Sequence, residues 1–231
     1  MIRMNRIVKI FSCGLIASGF VFCCGGCNVI GFLLSPSAFE RKVPPVFELA
    51  TYKNEKILVS VRSSQAAGVD ADVPRKAAEA MKRELISKVK FNEENVINEF
   101  DLANRSSVQY GSWSEIENDA RAAGAKLLLY SEIIDYEMLN LQHKNYFAGR
   151  MTIRSVLLNA ETGELLWPSQ SGRITKVESQ LETKGRDEIL SVLTSAAAHC
   201  VVREFYPCPE PNYYKQEEVR PAETIINELT E

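Results

Sequence analysis

The amino-acid sequence predicts an α+β fold, a mixed and mostly antiparallel sheet of about five strands with two or three helices packed on it. Three observations predict it. The stretch Ala125 to Trp167 reads as consecutive strands, with Leu127, Leu128 and Leu129 forming an apolar run suited to burial on both faces. Met151, Ile153 and Leu157 recur at even spacing between Thr152 and Arg154, so the next strand turns one face to a core. Finally, the apolar spacing of Ala77, Met81 and Leu85, and of Ile189, Leu190, Leu193, Ala197, Val201 and Phe205, is helical.

In chain order, residues 1–26 come first and decide the expected compartment. Arg3, Arg6 and Lys9, with no acidic residue before Glu40, form a positive leader, and Ile10 to Phe22 is an apolar stretch. At about 13 residues it is shorter than the roughly 20 a membrane-spanning helix needs. Small residues ending in cysteine follow, Cys23-Cys24-Gly25-Gly26-Cys27. This segment resembles a bacterial lipoprotein signal, with Cys27 as the acylated residue after small Gly25 and Gly26. Its acyl chains would anchor the protein in a membrane, each buried methylene adding about 0.8 kcal/mol. By the same resemblance Asn28, in place of Asp, favours the outer membrane over the inner, with the body of the protein in the periplasm.

Removing residues 1–26 takes away three basic residues and no acid, moving the net charge from −3 to −6. An acidic chain is a poor partner for nucleic acid, so none is expected. Four of the six cysteines lie in the export segment, leaving Cys200 and Cys208 with the body. In an oxidising compartment these two are candidates for a disulfide, and a buried free thiol is the other reading.

Residues 27–55 read as an extended, lipid-anchored tether, because Pro36, Pro44 and Pro45 exclude a long helix. The domain is expected over 56–206. Lys56 to Val61 is its opening strand, and Pro74 sits near the first turn of a helix whose Arg75, Lys76, Lys82, Arg83 and Lys88 form a solvated face. Lys88 to Phe91 is expected as a short strand and Glu93 to Phe100 as a short helix. Ser112 and Glu115 have capping-box spacing, and Gly124 closes that helix directly before the Leu127 run. Helix, glycine and strand in succession predict a crossover to a parallel strand. Lys126 to Tyr136, Phe147 to Asn159 and Glu164 to Trp167 are strands, the last two joined through Ala160-Glu161-Thr162-Gly163, and Arg173 to Ser179 extends the meander. The longest helix runs from Arg186 to Tyr206 and stops at Pro207. Residues 207–231 form an acidic, proline-rich tail with too little apolar surface to fold alone. Ile225, Ile226 and Leu229 make one face of a short helix within it.

Catalytic signals are sparse. The two histidines, His143 and His199, meet no Gly-x-Ser-x-Gly elbow. His199, Cys200 and Cys208 fall short of the four ligands tetrahedral zinc needs, so no metal and no cofactor is expected. Cys24 to Cys27 has a redox spacing inside the export segment. Glu132 with Asp135, or Glu161 with Glu164, are the carboxylate pairs available for acid–base work.

The strand Lys56 to Val61, the run Ala123-Gly124-Ala125-Lys126-Leu127-Leu128-Leu129 and the hairpin Asn159-Ala160-Glu161-Thr162-Gly163-Glu164-Leu165-Leu166-Trp167 together resemble a group of bacterial periplasmic lipoprotein domains. The group includes the curli-secretion lipoprotein, activator lipoproteins of penicillin-binding proteins and TolB N-terminal-like domains. The resemblance spans Lys56 to Tyr206. It implies a mixed sheet with helices against it and a role in envelope assembly through protein contacts; with catalytic signals sparse, the expectation is a non-catalytic module that binds another envelope protein, with homo-oligomerisation open to it. It does not imply a pore, since Met138 to Gly149 lacks the alternation of a membrane strand. A lipoprotein that binds a small ligand or glycan, or hydrolyses one with strand-end carboxylates, is the alternative expectation.

Overall fold

The computed structural model describes residues 42–64, 67–102, 113–140, 146–169, 172–209 and 219–221. The chain divides into two units, residues 1–43 and 44–231; of the first, only the exposed two-residue strand Lys42–Val43 is described. In the second unit, seven strands form one sheet: β1 (Ile57–Ser63), β2 (Val96–Asn98), β3 (Leu127–Asn140), β4 (Tyr146–Asn159), β5 (Leu165–Trp167), β6 (Arg173–Lys184) and β7 (Val219–Pro221). The spatial order is β2-β1-β3-β4-β6-β7, with β5 also paired to β4. Three α-helices accompany them, α1 (Asp72–Glu84), α2 (Trp113–Ala122) and α3 (Arg186–Val202).

The first half of the unit is wound like an open α/β sheet. From β1 the chain passes through α1 to β2, parallel on one side of β1; it then passes through α2 to β3, parallel on the other side. The two crossovers step in opposite directions, and right-handed connections then place their helices on opposite faces of the sheet. The buried clusters agree. Ile57, Val59, Val61, Ala77 and Met81 belong to one core, and Leu58, Leu128, Ile116 and Ala120 to a smaller one beneath α2. The Leu127–Leu129 run is buried on both faces because each face has its own cover.

The second half is antiparallel. β3 and β4 form a hairpin of 14 residues in each arm, about 46 Å at the usual rise per residue. Up to Ile133, the odd residues of β3 face α1 and α3: Leu127, Leu129, Ser131 and Ile133 are buried there. The register shifts between Ile133 and Asp135, leaving Ile134 as the extra residue of a bulge. Beyond it the parity inverts, and the even residues Tyr136 and Met138 pack against the same core. From β4 and β6, Met151, Ile153, Leu157 and Val177 join them.

Helix α3 is apolar nearly all round and lies against both α1 and the sheet, burying Ile189, Leu190, Leu193 and Ala196 through Val202. Small residues on α1 (Ala77, Ala78, Ala80) and α3 (Ala196, Ala197, Ala198) let the two helices approach closely. Gly149 does the same for α3 and β4. A Cβ placed there would lie 2.7 Å from Leu193 Cδ1 and 3.1 Å from the carbonyl oxygen of Glu137.

Several expectations are corrected. Lys88 to Phe91 is not a strand: α1 widens into a π turn over Leu85–Val89, and Lys90 (φ 69°) reverses the chain. Glu93 to Phe100 is not one helix but a 3-10 turn, strand β2 and a second 3-10 turn, Glu99–Asp101. The β-branched Val96 and Ile97 favour pairing with Ile57 and Leu58 over helix, and the Asn98 side chain accepts from the Phe100 amide to start the next turn. Helix α3 stops at Val202, with a 3-10 turn over Arg203–Phe205 instead of continuing to Tyr206. The folded unit begins before residue 56, inside the stretch expected to be extended. Leu49 is fully buried on a short 3-10 turn, and Phe47 stacks with Tyr52 and edges onto Phe205. The tail beyond Pro207 lends two pieces to the unit, a buried Cys208 and strand β7, parallel to β6 over Lys176–Glu178. Residues Ile225, Ile226 and Leu229 lie outside the described residues.

Candidate functional site

The face of the sheet opposite α1 and α3 carries the concentrated polar chemistry. Beneath α2 it is apolar, from Leu58 across Leu128 to Leu158. Two residues further along β1 the composition changes. Ser60, Tyr130 and Val156 form the next cross-strand row, and Arg62, Glu132 and Arg154 the one after. Among the described residues no helix other than α2 covers this side, and Arg154, Asp135, Arg150 and Ile174 are exposed.

At the carboxyl ends of β1 and β2 lies a closed cluster that local sequence reading misses. Glu99, in the turn after β2, is 1% exposed and Arg62 is 3% exposed. The Arg62 Nη2 donates to Glu99 Oε1 at 2.5 Å, and the Ser60 hydroxyl donates to Glu99 Oε2. The carboxylate is thereby held by two donors. The guanidinium is not fully used: its Nε and Nη1 are buried with no partner among the described residues, as are the hydroxyls of Ser63 and Ser64. Ser63, the last residue of β1, points to the face opposite Arg62, and Ser64 follows just outside the strand. In open sheets, the carboxyl ends of parallel strands whose crossovers diverge are where ligands bind. The only sequence signal was a lone arginine in an otherwise apolar and small-residue strand, with its partner 37 residues away.

Further along, a ladder of opposite charges crosses the hairpin. Arg154 donates to Glu132 directly opposite, and Arg150 sits 3.5 Å from Asp135 and 3.1 Å from Glu137. The bulge at Ile134 keeps Asp135 and Glu137 on this side together with Glu132. The hydrogen bond to Glu132 raises the Arg154 pKa, and burial raises that of Tyr130. Glu132 and Asp135, read as a potential acid–base pair, are thus each engaged by a different arginine. Glu161 and Glu164 flank an exposed turn in which Asn159 Oδ1 accepts from the amides of Glu161 and Thr162.

The remaining residues singled out from sequence are placed as follows. His199 is buried, with Nδ1 3.3 Å from Glu84 Oε2 and 3.4 Å from the Tyr206 hydroxyl, so it ties α3 to α1. Cys200 and Cys208 are both buried thiols and are not bridged to each other. The Cys208 sulfur accepts from Arg203 Nη2 at 3.4 Å and donates to the Arg203 carbonyl at 3.8 Å. No group of three metal-ligating side chains occurs among the described residues. No helix among them is long and apolar enough to cross a membrane. Cys27, Cys24 and His143 lie outside the described residues.

No protein-family model matches the chain, and no curated protein does. Solved structures do. The chain is similar to a PelC dodecamer from Paraburkholderia phytofirmans at 10% identity, covering 71% of this chain and 94% of that one, with a TM-score of 0.39. It is similar to lipoprotein GNA1162 from Neisseria meningitidis at 14% identity, covering 64% and 98%, with a TM-score of 0.38. Against the LpoB C-terminal domain from Salmonella enterica the identity is 20%, the coverage 60% and 86%, and the TM-score 0.35.

Proposed function

We propose that the chain is an exported envelope protein, lipid-anchored at Cys27 in the outer membrane, whose folded unit acts in the periplasm as a non-catalytic protein-interaction module. The observation that carries the interaction reading is the side of the sheet beyond α2, where no described helix lies and where Arg150, Arg154, Asp135 and Glu137 form a fixed pattern of charge beside exposed Ile174. Cross-strand pairing holds these side chains in place before a partner arrives, so less side-chain entropy is lost on binding. Alternating signs favour a partner with the complementary pattern and penalise others. The separate engagement of Glu132 and Asp135 by arginines works against the hydrolytic alternative, which needs two converging carboxylates. The anchoring half of the proposal rests on the leader and the Gly-Gly-Cys sequence ending at Cys27.

Two experiments test it. Cells fed a labelled fatty acid are expected to label the chain, and Cys27→Ser is expected to abolish the label; a labelled Cys27→Ser variant overturns the anchor. For the module, a photo-crosslinking residue at Ile174 is expected to trap a discrete envelope protein in intact cells, and Arg150→Glu to reduce that product. A crosslink pattern unchanged by Arg150→Glu overturns the assignment of the partner surface to this side of the sheet.

A further inference from the structure

We infer that the outer face of β3 and β4 is an interface between two copies of this chain, related by a two-fold axis that lies in the interface, parallel to the strands and midway between β3 and β4. The inference names the partner for the surface proposed above and rests on that reading. On this face β3 carries a row of acids, Glu132, Asp135 and Glu137, and β4 a row of bases, Arg150 and Arg154, with Thr152 between them. The rows are in register, Arg154 opposite Glu132 and Arg150 opposite Glu137. The next strand, β6, carries one residue of each sign, Lys176 and Glu178, and so adds no stripe of its own. Asp135, Arg150 and Arg154 are 51%, 56% and 52% exposed, so pairing within the chain leaves charged surface for a second contact.

A face with one acidic and one basic stripe is complementary to itself in a single arrangement. An axis along the sheet normal turns the face in its own plane and brings no second face onto it. An axis in the interface but across the strands sets each stripe over its own equivalent, acid on acid. An axis along the strands exchanges the stripes. Glu137 of the second copy then comes over Arg150, and Glu132 of the second copy over Arg154, while each arginine of the second copy meets the corresponding acid. The axis has to pass between β3 and β4, because one running along β4 would set Arg150 on Arg150. A contact in which one residue meets another and the reverse also holds is what a two-fold pair of identical chains requires. Like charges directly opposed select against the other arrangements. Two of the five exposed large apolar side chains among the described residues, Leu139 and Ile174, also lie on this face, towards its two ends. Exposed ion pairs are individually weak and screened by salt, so the association is reversible and salt-sensitive.

The test is the mass of the full chain in density-matched detergent micelles, measured by sedimentation equilibrium across a concentration series. The parent is expected as a reversible dimer at about 50 mM salt, with a dissociation constant that rises about tenfold by about 500 mM. Arg150→Glu/Arg154→Glu makes both stripes acidic, and Glu132→Lys/Glu137→Lys makes both largely basic. Each variant alone is expected to weaken the dimer by about tenfold or more, and an equimolar mixture of the two to regain the parental mass, because an acidic face then meets a basic one. Circular dichroism checks that both variants fold; if either does not, the salt dependence of the parent decides. A parent with the mass of one chain throughout, a dimer indifferent to salt, a dimer untouched by both variants, or a mixture no tighter than either variant overturns the inference. A monomeric parent whose Ile174 probe still traps a different protein, in an Arg150-dependent way, overturns this inference and leaves the interaction surface standing. A monomeric parent with no trapped product overturns both.

Discussion

The Arg62–Glu99 pair offers a sharp measurement of what the closed end of the sheet costs and contributes. Glu99→Ala removes the only described partner of a guanidinium that is 3% exposed and already has two unpartnered nitrogens. Breaking a buried ion pair by deleting one member costs about 3–5 kcal/mol, because the survivor is left charged and poorly solvated. The Ser60 hydroxyl, fully buried, loses its acceptor as well, adding about 1 kcal/mol. Against a total stability of about 5–15 kcal/mol this is a large fraction. The double variant Arg62→Met/Glu99→Met exchanges the pair for apolar side chains of similar length, so its stability is expected within about 2 kcal/mol of the parent. The assay is urea unfolding followed by circular dichroism, with unchanged slopes confirming that stability, not compactness, has moved. A Glu99→Ala variant that loses less than about 1 kcal/mol, or a double variant no better than the single one, would refute the reasoning.

Three further outcomes are expected. Gly149→Ala drives a Cβ to 2.7 Å from Leu193 Cδ1 and 3.1 Å from a backbone oxygen; overpacking of this kind costs about 1–3 kcal/mol by the same urea assay, and Leu193→Ala in the same chain should not simply add its own loss. Leu49→Ala should cost about 2–5 kcal/mol if residues 44–52 belong to the folded unit, and almost nothing if they were a solvated tether. Burial raises the Tyr136 phenol to about 12, against about 10 in the unfolded chain. The folded state therefore holds this proton more tightly, so the contribution is whole below pH 10 and is lost as pH rises through 12. Absorbance at the phenolate band should show a late-titrating tyrosine that disappears in Tyr136→Phe.

How much of this was legible in the sequence depends on how far apart the interacting residues lie. The hairpin turn at Asn159 to Gly163 is local: an Asn whose side chain caps two following amides and a glycine at φ 71° can be read from five residues. Helix α3 and the arms of β3 and β4 are long enough for periodicity to dominate. Strand β2 is three residues long and exists because Ile57 and Leu58 offer an edge, which no window around Val96 contains. The bulge at Ile134 was invisible for a related reason. Lys126 to Tyr136 reads as one unbroken strand, and one inserted residue exchanges its two faces. The Arg62–Glu99 contact joins strand to turn across a whole crossover, so neither residue announces the other. Strand β7 sits in a stretch whose composition argues against independent structure, and it pairs only because β6 presents an open edge.

The patch under α2 has a consequence for motion. Among the described residues, seven buried apolar ones make up the cluster at that helix, Ile116 and Ala120 of α2 itself included, and they form a group apart from the main interior. Peeling α2 away would expose Leu58 and Leu128 while leaving the layer beneath α1 and α3 intact. Backbone amides of Trp113–Ala122 should therefore trade hydrogen for deuterium at a rate set by a shallow local opening, well ahead of those in α3.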